Sequence, residues 1–119
     1  MKGTYVLILK CLKNCRIKIG KIGTIEFKKG YYFYVGSAFN SLEKRIERHL
    51  KRKKKKKWHI DYLTTNKNFK VIDVIWIRKR VESKLSKEFE KHFEYIKNFG
   101  SSDTKDKSHL FYYNGRFSR

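Results

Sequence analysis

The sequence predicts a small α+β domain, a compact and mostly antiparallel sheet with flanking helices and an added hairpin near the N terminus. Three observations predict it. Short runs rich in β-branched and aromatic residues recur along the chain, and two segments carry apolar residues at helical spacing. The chain has 119 residues, 39% hydrophobic and 16% aromatic, which is enough for one core and one domain spanning 1–119.

Each element has its own signal. Residues 4–10, "TYVLILK", have no breaker and read as a buried strand. Residues 16–27 alternate basic or small residues with Ile, a half-buried hairpin bending near Gly20 and Gly23. "YYFYVG", 31–36, is the next strand, with Gly36 as the turn that aims the first helix. That helix starts at Ser41, an N-cap residue, and runs into the Lys run. "WHIDYL", 58–63, is a short helical turn, and "VIDVIWI", 71–77, a strand with an almost continuous apolar face. A second helix covers 82–97 and stops before Gly100; "FGSSDTKDKS" is loop and "HLFYY" the last strand.

Charge narrows the function. Lys and Arg number 31 against 11 Asp and Glu, a formal net charge of +20. Self-repulsion on that scale costs stability and fits a polyanionic partner, nucleic acid first. A membrane surface fits less well, because no basic amphipathic helix with a broad apolar face and no lipidation signal is present. No segment approaches spanning length, and no signal peptide opens the chain. Cys11 and Cys15 lack partners at zinc-site spacing and read as reduced thiols, which suits a cytoplasmic protein. The run "KRKKKKK", Arg52 with Lys51 and Lys53 to Lys57, joins Arg48 as the expected phosphate-gripping patch. In a nucleated source it would also read as an import signal.

Within the first helix, Leu42, Ile46 and Leu50 form an apolar stripe. Arg45 and His49, one turn apart along its edge, either snorkel to solvent or turn toward the tyrosine strand. In the second helix Leu85, Phe89, Phe93 and Ile96 define a buried face, and Glu82 projects onto the middle of that arc. A carboxylate there either satisfies free N–H groups at the helix start or serves as an oxygen ligand for Mg²⁺ or Mn²⁺.

Taken in order, "GTY" (3–5), "YVG" (34–36), Arg45, His49 and Glu82 resemble the signature of the GIY-YIG nuclease superfamily. "WHIDYL" and the tail "FGSSD…SHLFYY" are similar to its small stand-alone Uri-type branch, and the likeness covers nearly the whole chain. The resemblance implies Tyr5 and Tyr34 as the two motif tyrosines, facing one another across adjacent strands. It implies Arg45 and His49 as further catalytic residues and Glu82 as the single metal-binding carboxylate. It also implies cleavage of DNA phosphodiesters with one divalent cation. The chain departs from the pattern in the hairpin inserted between the tyrosine motifs and in Ser37, where many members carry a basic residue. The late asparagine has no direct match, and Asn98, Ser101 or Ser102 stands in for it.

The residue types suit that chemistry. Bringing a tyrosine pKa from 10 to 7 takes about 4 kcal/mol, which neighbours such as Arg45 and a cation on Glu82 supply. His49 can instead relay the proton, and Arg45 offsets charge at phosphorus. Tyr5 is the preferred base. Among the remaining residues, Trp58 reads as a core or helix-start anchor before a base-stacking platform, and Asp61 as a counter-charge to the Lys run before a second metal ligand. Asp103 caps a turn, His109 lies on an edge strand or touches the site, and Tyr112 and Tyr113 pack on alternating faces. Two further classes remain beside the endonuclease: a nucleic-acid-binding module that keeps the fold without activity, and an assembly protein of a larger complex with a protein partner.

Overall fold

The computed structural model describes residues 2–101 and 104–115. Its centre is β1 (Gly3–Cys11), whose run of β-branched and aliphatic residues is buried almost throughout. β1 pairs antiparallel with β4 (Gly30–Ala38) on one side and with β5 (Phe69–Ile77) on the other. Beyond β4 lie β7 (Leu110–Tyr113) and the two-residue β6 (Glu94–Tyr95), giving the antiparallel order β5-β1-β4-β7-β6. Residues 15–27 form the predicted hairpin, β2 (Cys15–Ile19) and β3 (Gly23–Phe27), joined by a single 3₁₀ turn over Gly20–Ile22. The α+β class read from the sequence is the observed one.

Alternation along β1 divides the interior in two. Tyr5, Leu7, Leu9 and Cys11 face a large cluster with Tyr32, Tyr34, Phe27, Phe69 and Phe99, covered by the hairpin, by α1 (Leu42–Leu50) and by α2 (Asp61–Thr64). Val6, Val35 and Phe111 face the other way, against Leu85 and Phe89 of α3 (Glu82–His92) and Phe93 just beyond it. Helices therefore cover both faces of the sheet.

Four local expectations change. The first helix begins as read, with the Ser41 hydroxyl accepting from the Lys44 N–H, but it ends at Leu50 rather than continuing into the Lys run. There Lys54 folds back and its ammonium donates to the carbonyls of Arg48 and His49, satisfying acceptors that a helix end leaves open. The second helix ends at His92, not 97. Phe93 adopts an extended conformation, Tyr95 pairs with Phe111, and Ile96 crosses into the opposite cluster. Strand β5 is an edge strand, so its apolar run is only half used: Ile72, Ile75, Trp76 and Ile77 are 43–56% exposed.

Gly36 is the fourth. It is not a turn but an interior residue of β4, directly opposite Tyr5. The Tyr5 ring lies flat over it, and a Cβ at residue 36 would fall on the ring and its hydroxyl. The glycine is there for the tyrosine. Among the described residues no helix is long and apolar enough to cross a membrane.

Candidate active site

One cleft of about 470 Å³ gathers residues from four elements and their connections. Tyr5 comes from β1, Tyr34, Gly36 and Ser37 from β4, Arg45 from α1, Glu82 from α3, and His109 from the residue preceding β7. Register explains the first two: Tyr5 is opposite Gly36 and Leu7 opposite Tyr34, so the phenols are diagonal neighbours on one face. They are therefore neighbours on that face and not directly opposite one another, offset by two positions in the register.

Thr4 sets the carboxylate. Its buried hydroxyl donates to the Lys79 carbonyl at 2.6 Å and accepts from the Val81 N–H at 2.9 Å. That clamps the turn from β5 into α3 and starts the helix with Glu82 aimed at the cleft. The Glu82 side chain, 27% exposed, accepts from Ser37 Oγ at 3.2 Å, while its other oxygen lies 3.4 Å from His109 Nδ1. Among the described residues Glu82 is the one acidic side chain lining this cleft, and no group of three or more His, Cys, Asp or Glu converges.

Arg45 is held on two sides. Its guanidinium donates to the Ser37 carbonyl at 3.1 Å and stacks 4.5 Å from the centre of the Trp58 ring. Arg48 stacks on the same ring at 4.4 Å, so Trp58 serves as a platform between two guanidiniums and also lines the cleft. Trp58 packs against the core, as the anchor reading expects, and its stacking on two guanidiniums is a role the sequence reading did not include.

His49 does not snorkel. It is 1% exposed, behind Tyr5, with its Nε2 2.6 Å from the phenol oxygen. The Tyr5 O–H donates to Nε2 in the tautomer protonated on Nδ1. Nδ1 then carries the ring proton, and it has no partner among the described residues. Burial, with the Lys54 charge adding to it, lowers the His49 pKa from 6.5 to about 3, so the ring is neutral. Burial pushes Tyr5 well above the usual phenol range despite the Arg45 guanidinium beside it, and Tyr34 likewise, helped by Tyr5 and Glu82. The expectation of a lowered tyrosine pKa is thus not met. Removing both phenols from water outweighs one guanidinium.

The neutral His49 makes a pH prediction. Its contribution to stability is fully present above the unfolded value of 6.5 and is lost as pH falls from there toward about 3, because the unfolded chain binds the proton first. The loss within that window is on the order of 1.4 kcal/mol per pH unit. Chemical denaturation of wild type and His49→Gln at pH 7, 6, 5 and 4 should show a shallower decline in the variant. Equal slopes would contradict a buried neutral ring. His59 is also held neutral by burial, with Nδ1 accepting from the Gly100 N–H, and acts identically in both proteins.

The basic residues divide. Arg48 donates twice to the buried Asp61 carboxylate, at 2.9 Å each, Arg52 donates to the carbonyls of Phe69 and Asn66, and Lys54 caps α1. Lys51, Lys53, Lys55, Lys56 and Lys57 are exposed. Asp61 also accepts from the Lys57 and Trp58 N–H groups, so its oxygens are committed to Arg48 and the backbone rather than to lysine ammoniums or a metal. Asn98 lies exposed in a left-handed turn (φ 66°) away from the cleft, and Ser101 is buried outside it. Ser102 and Asp103 lie outside the described residues.

Two cleft residues carried a signal that the sequence reading left unused or unresolved. Arg80 lines the mouth, stacked 4.0 Å from the Phe39 ring, and the cluster Arg78-Lys79-Arg80 two residues before Glu82 could have marked it. His109 reaches the site; its Nε2 lies 2.9 Å from Asp106. Burial would raise the Asp106 pKa, but the bonds from His109 and Ser83 hold it below the usual range.

No curated protein and no solved structure matches this sequence significantly. The model of the family described as "Domain of unknown function DUF123" matches residues 4–118, nearly the whole chain, and the protein belongs to that family.

Proposed function

We propose that the protein is a divalent-metal-dependent endonuclease of GIY-YIG type, cutting DNA phosphodiesters with little sequence preference of its own. One observation carries this: Tyr5, Tyr34, Arg45 and Glu82, separated by up to 77 positions, line a single cleft in a chain of net charge +20. The exposed lysines of 51–57 and Arg80 at the cleft mouth are the phosphate contacts, which position DNA without reading its bases. The cytoplasm, with the nucleoid, is the compartment that suits such a substrate.

The donor set fits a hard cation. Mg²⁺ or Mn²⁺ takes one or two carboxylates and leaves its other positions to water and substrate phosphate, and Glu82 offers one carboxylate to an open cleft. Such an ion supplies Lewis-acid charge to a phosphoryl oxygen. Arg45, fixed by Ser37 and Trp58, holds a phosphate oxygen and offsets the charge that develops on phosphorus. Tyr5 takes the proton of the attacking water as it passes its own to His49 Nε2. The water oxygen forms its bond to phosphorus, the bond to the leaving oxygen breaks, and that oxygen is protonated from solvent. Charge arriving in the cleft is what the relay needs. An anionic phosphate favours the imidazolium that the relay leaves on His49, while Tyr5 ends the step as a neutral phenol.

Supercoiled plasmid should be converted to the nicked form in Mg²⁺ or Mn²⁺ and not in EDTA. Absence of nicking on DNA or RNA in every divalent cation would overturn the enzyme reading. It would leave a binding module, the alternative that the fully protonated phenols favour.

A further inference from the structure

His109 offers the Glu82 site a nitrogen that neither helix stripe nor tyrosine motif accounts for. The ring is 2% exposed and its backbone is bonded on both sides, the N–H to the Phe99 carbonyl and the carbonyl to the Val35 N–H. Its Nε2 is 2.9 Å from Asp106 Oδ2, and that oxygen also accepts from Ser83 Oγ at 2.7 Å. A carboxylate bonded to one imidazole nitrogen fixes the tautomer and leaves the other nitrogen with its lone pair. That other nitrogen, Nδ1, points at Glu82 Oε2 from 3.4 Å, and both residues line the cleft.

Carboxylate, histidine and open coordination space in that order form the supporting arrangement of many protein metal sites. Donors 3.4 Å apart are close enough for both to reach one first-row ion at about 2.0–2.2 Å each. Two lone pairs directed at the same point repel unless a cation, or a proton, lies between them.

We infer that Glu82 and His109 together bind one divalent transition ion, with Asp106 orienting the imidazole, so that the site selects Mn²⁺ over Mg²⁺. The inference rests on Glu82 as the cation-binding carboxylate and adds the ligand that sets which cation. Imidazole nitrogen suits Mn²⁺ and the later first-row ions, whereas Mg²⁺ keeps to oxygen. Water, Ser37 Oγ and a substrate phosphate would complete the shell.

Calorimetric titration of the full chain with MnCl₂ and with MgCl₂ tests this without any nuclease readout. Wild type should bind Mn²⁺ at least about tenfold more tightly than Mg²⁺. His109→Ala should bring the two within about twofold by weakening Mn²⁺ alone, and Glu82→Gln should abolish binding of both. Unchanged Mn²⁺ affinity in His109→Ala overturns the proposal. Long-range ¹H–¹⁵N spectra of wild-type imidazoles, with and without Zn²⁺, need no variant to fold. The metal should shift His109 Nδ1 while Nε2 stays protonated. A His109 doubly protonated and unmoved by metal is an imidazolium clamp between two carboxylates, which also overturns it. The two readings fail separately. Selective Mn²⁺ binding with no nicking in any metal sinks the nuclease and keeps the site. Nicking with equal Mn²⁺ and Mg²⁺ affinities sinks the nitrogen ligand and keeps the nuclease.

Discussion

Glu82→Gln should lower plasmid nicking by at least about 10³-fold, a loss near 4 kcal/mol of transition-state stabilisation. The amide keeps the shape of the side chain and can still bond Ser37 Oγ, so the start of α3, clamped by Thr4 through Lys79 and Val81, stays in place. What is lost is the one negative charge among the described residues that line the cleft. DNA affinity should hold or tighten slightly, since a phosphate approaching the cleft no longer meets a carboxylate. Nicking and filter binding on the same preparation separate the two effects. Activity within tenfold of wild type would mean that the carboxylate is not the cation's anchor. Parallel loss of binding and nicking would mean that Glu82 acts by holding the fold.

How much of this was legible depends on the distance over which each signal acts. Arg45 and Glu82 carry a local signal, a charge beside or on the apolar face of a helix, whereas Tyr5 and Tyr34 were named through the resemblance of "GTY" and "YVG" to the family motifs. The structure unites them. Gly36 and Tyr5 illustrate the limit. A glycine after a strand-like run reads as a turn, and only the register of β1 against β4 shows that its missing side chain makes room for a ring 31 positions earlier. His49 reads as a boundary residue from helical phase alone, but Trp58 and Lys54 close over it from the following loop. His109 could not be assigned for the same reason. Its role depends on Asp106 and Glu82, which meet it through loop and helix placement rather than through strand alternation. The apolar run of β5 looked like core because periodicity reports which faces could be buried, not whether a neighbour exists to bury them.

Asp61→Ala should produce the largest stability loss of any substitution remote from the chemistry, about 3–5 kcal/mol. The carboxylate is fully buried, and four donors depend on it: two from Arg48 and the backbone N–H groups of Lys57 and Trp58. Removing it strands a partly buried guanidinium and two N–H groups at once, and domains of this size have only about 5–15 kcal/mol in total. The melting temperature should fall by roughly 10–20 °C. Burial by itself would raise the Asp61 pKa, but Arg48 and the two backbone donors more than reverse this and hold it below its ordinary 3.8. The stabilisation is therefore present above that value and disappears only as pH falls through the lower folded value, well separated from the His49 window. A double-mutant cycle identifies the cause. If the cost comes from an uncompensated Arg48, then Arg48→Ala combined with Asp61→Ala should recover part of what Asp61→Ala loses, and Asp61→Asn should lie between. A single variant melting within about 3 °C of wild type would refute the ion pair as the support of this loop. The same pair reaches the cleft through Trp58, on which both Arg48 and Arg45 stack. Asp61→Asn, if folded, should therefore weaken nicking by loosening Arg45 while leaving the metal donors Glu82 and His109 untouched.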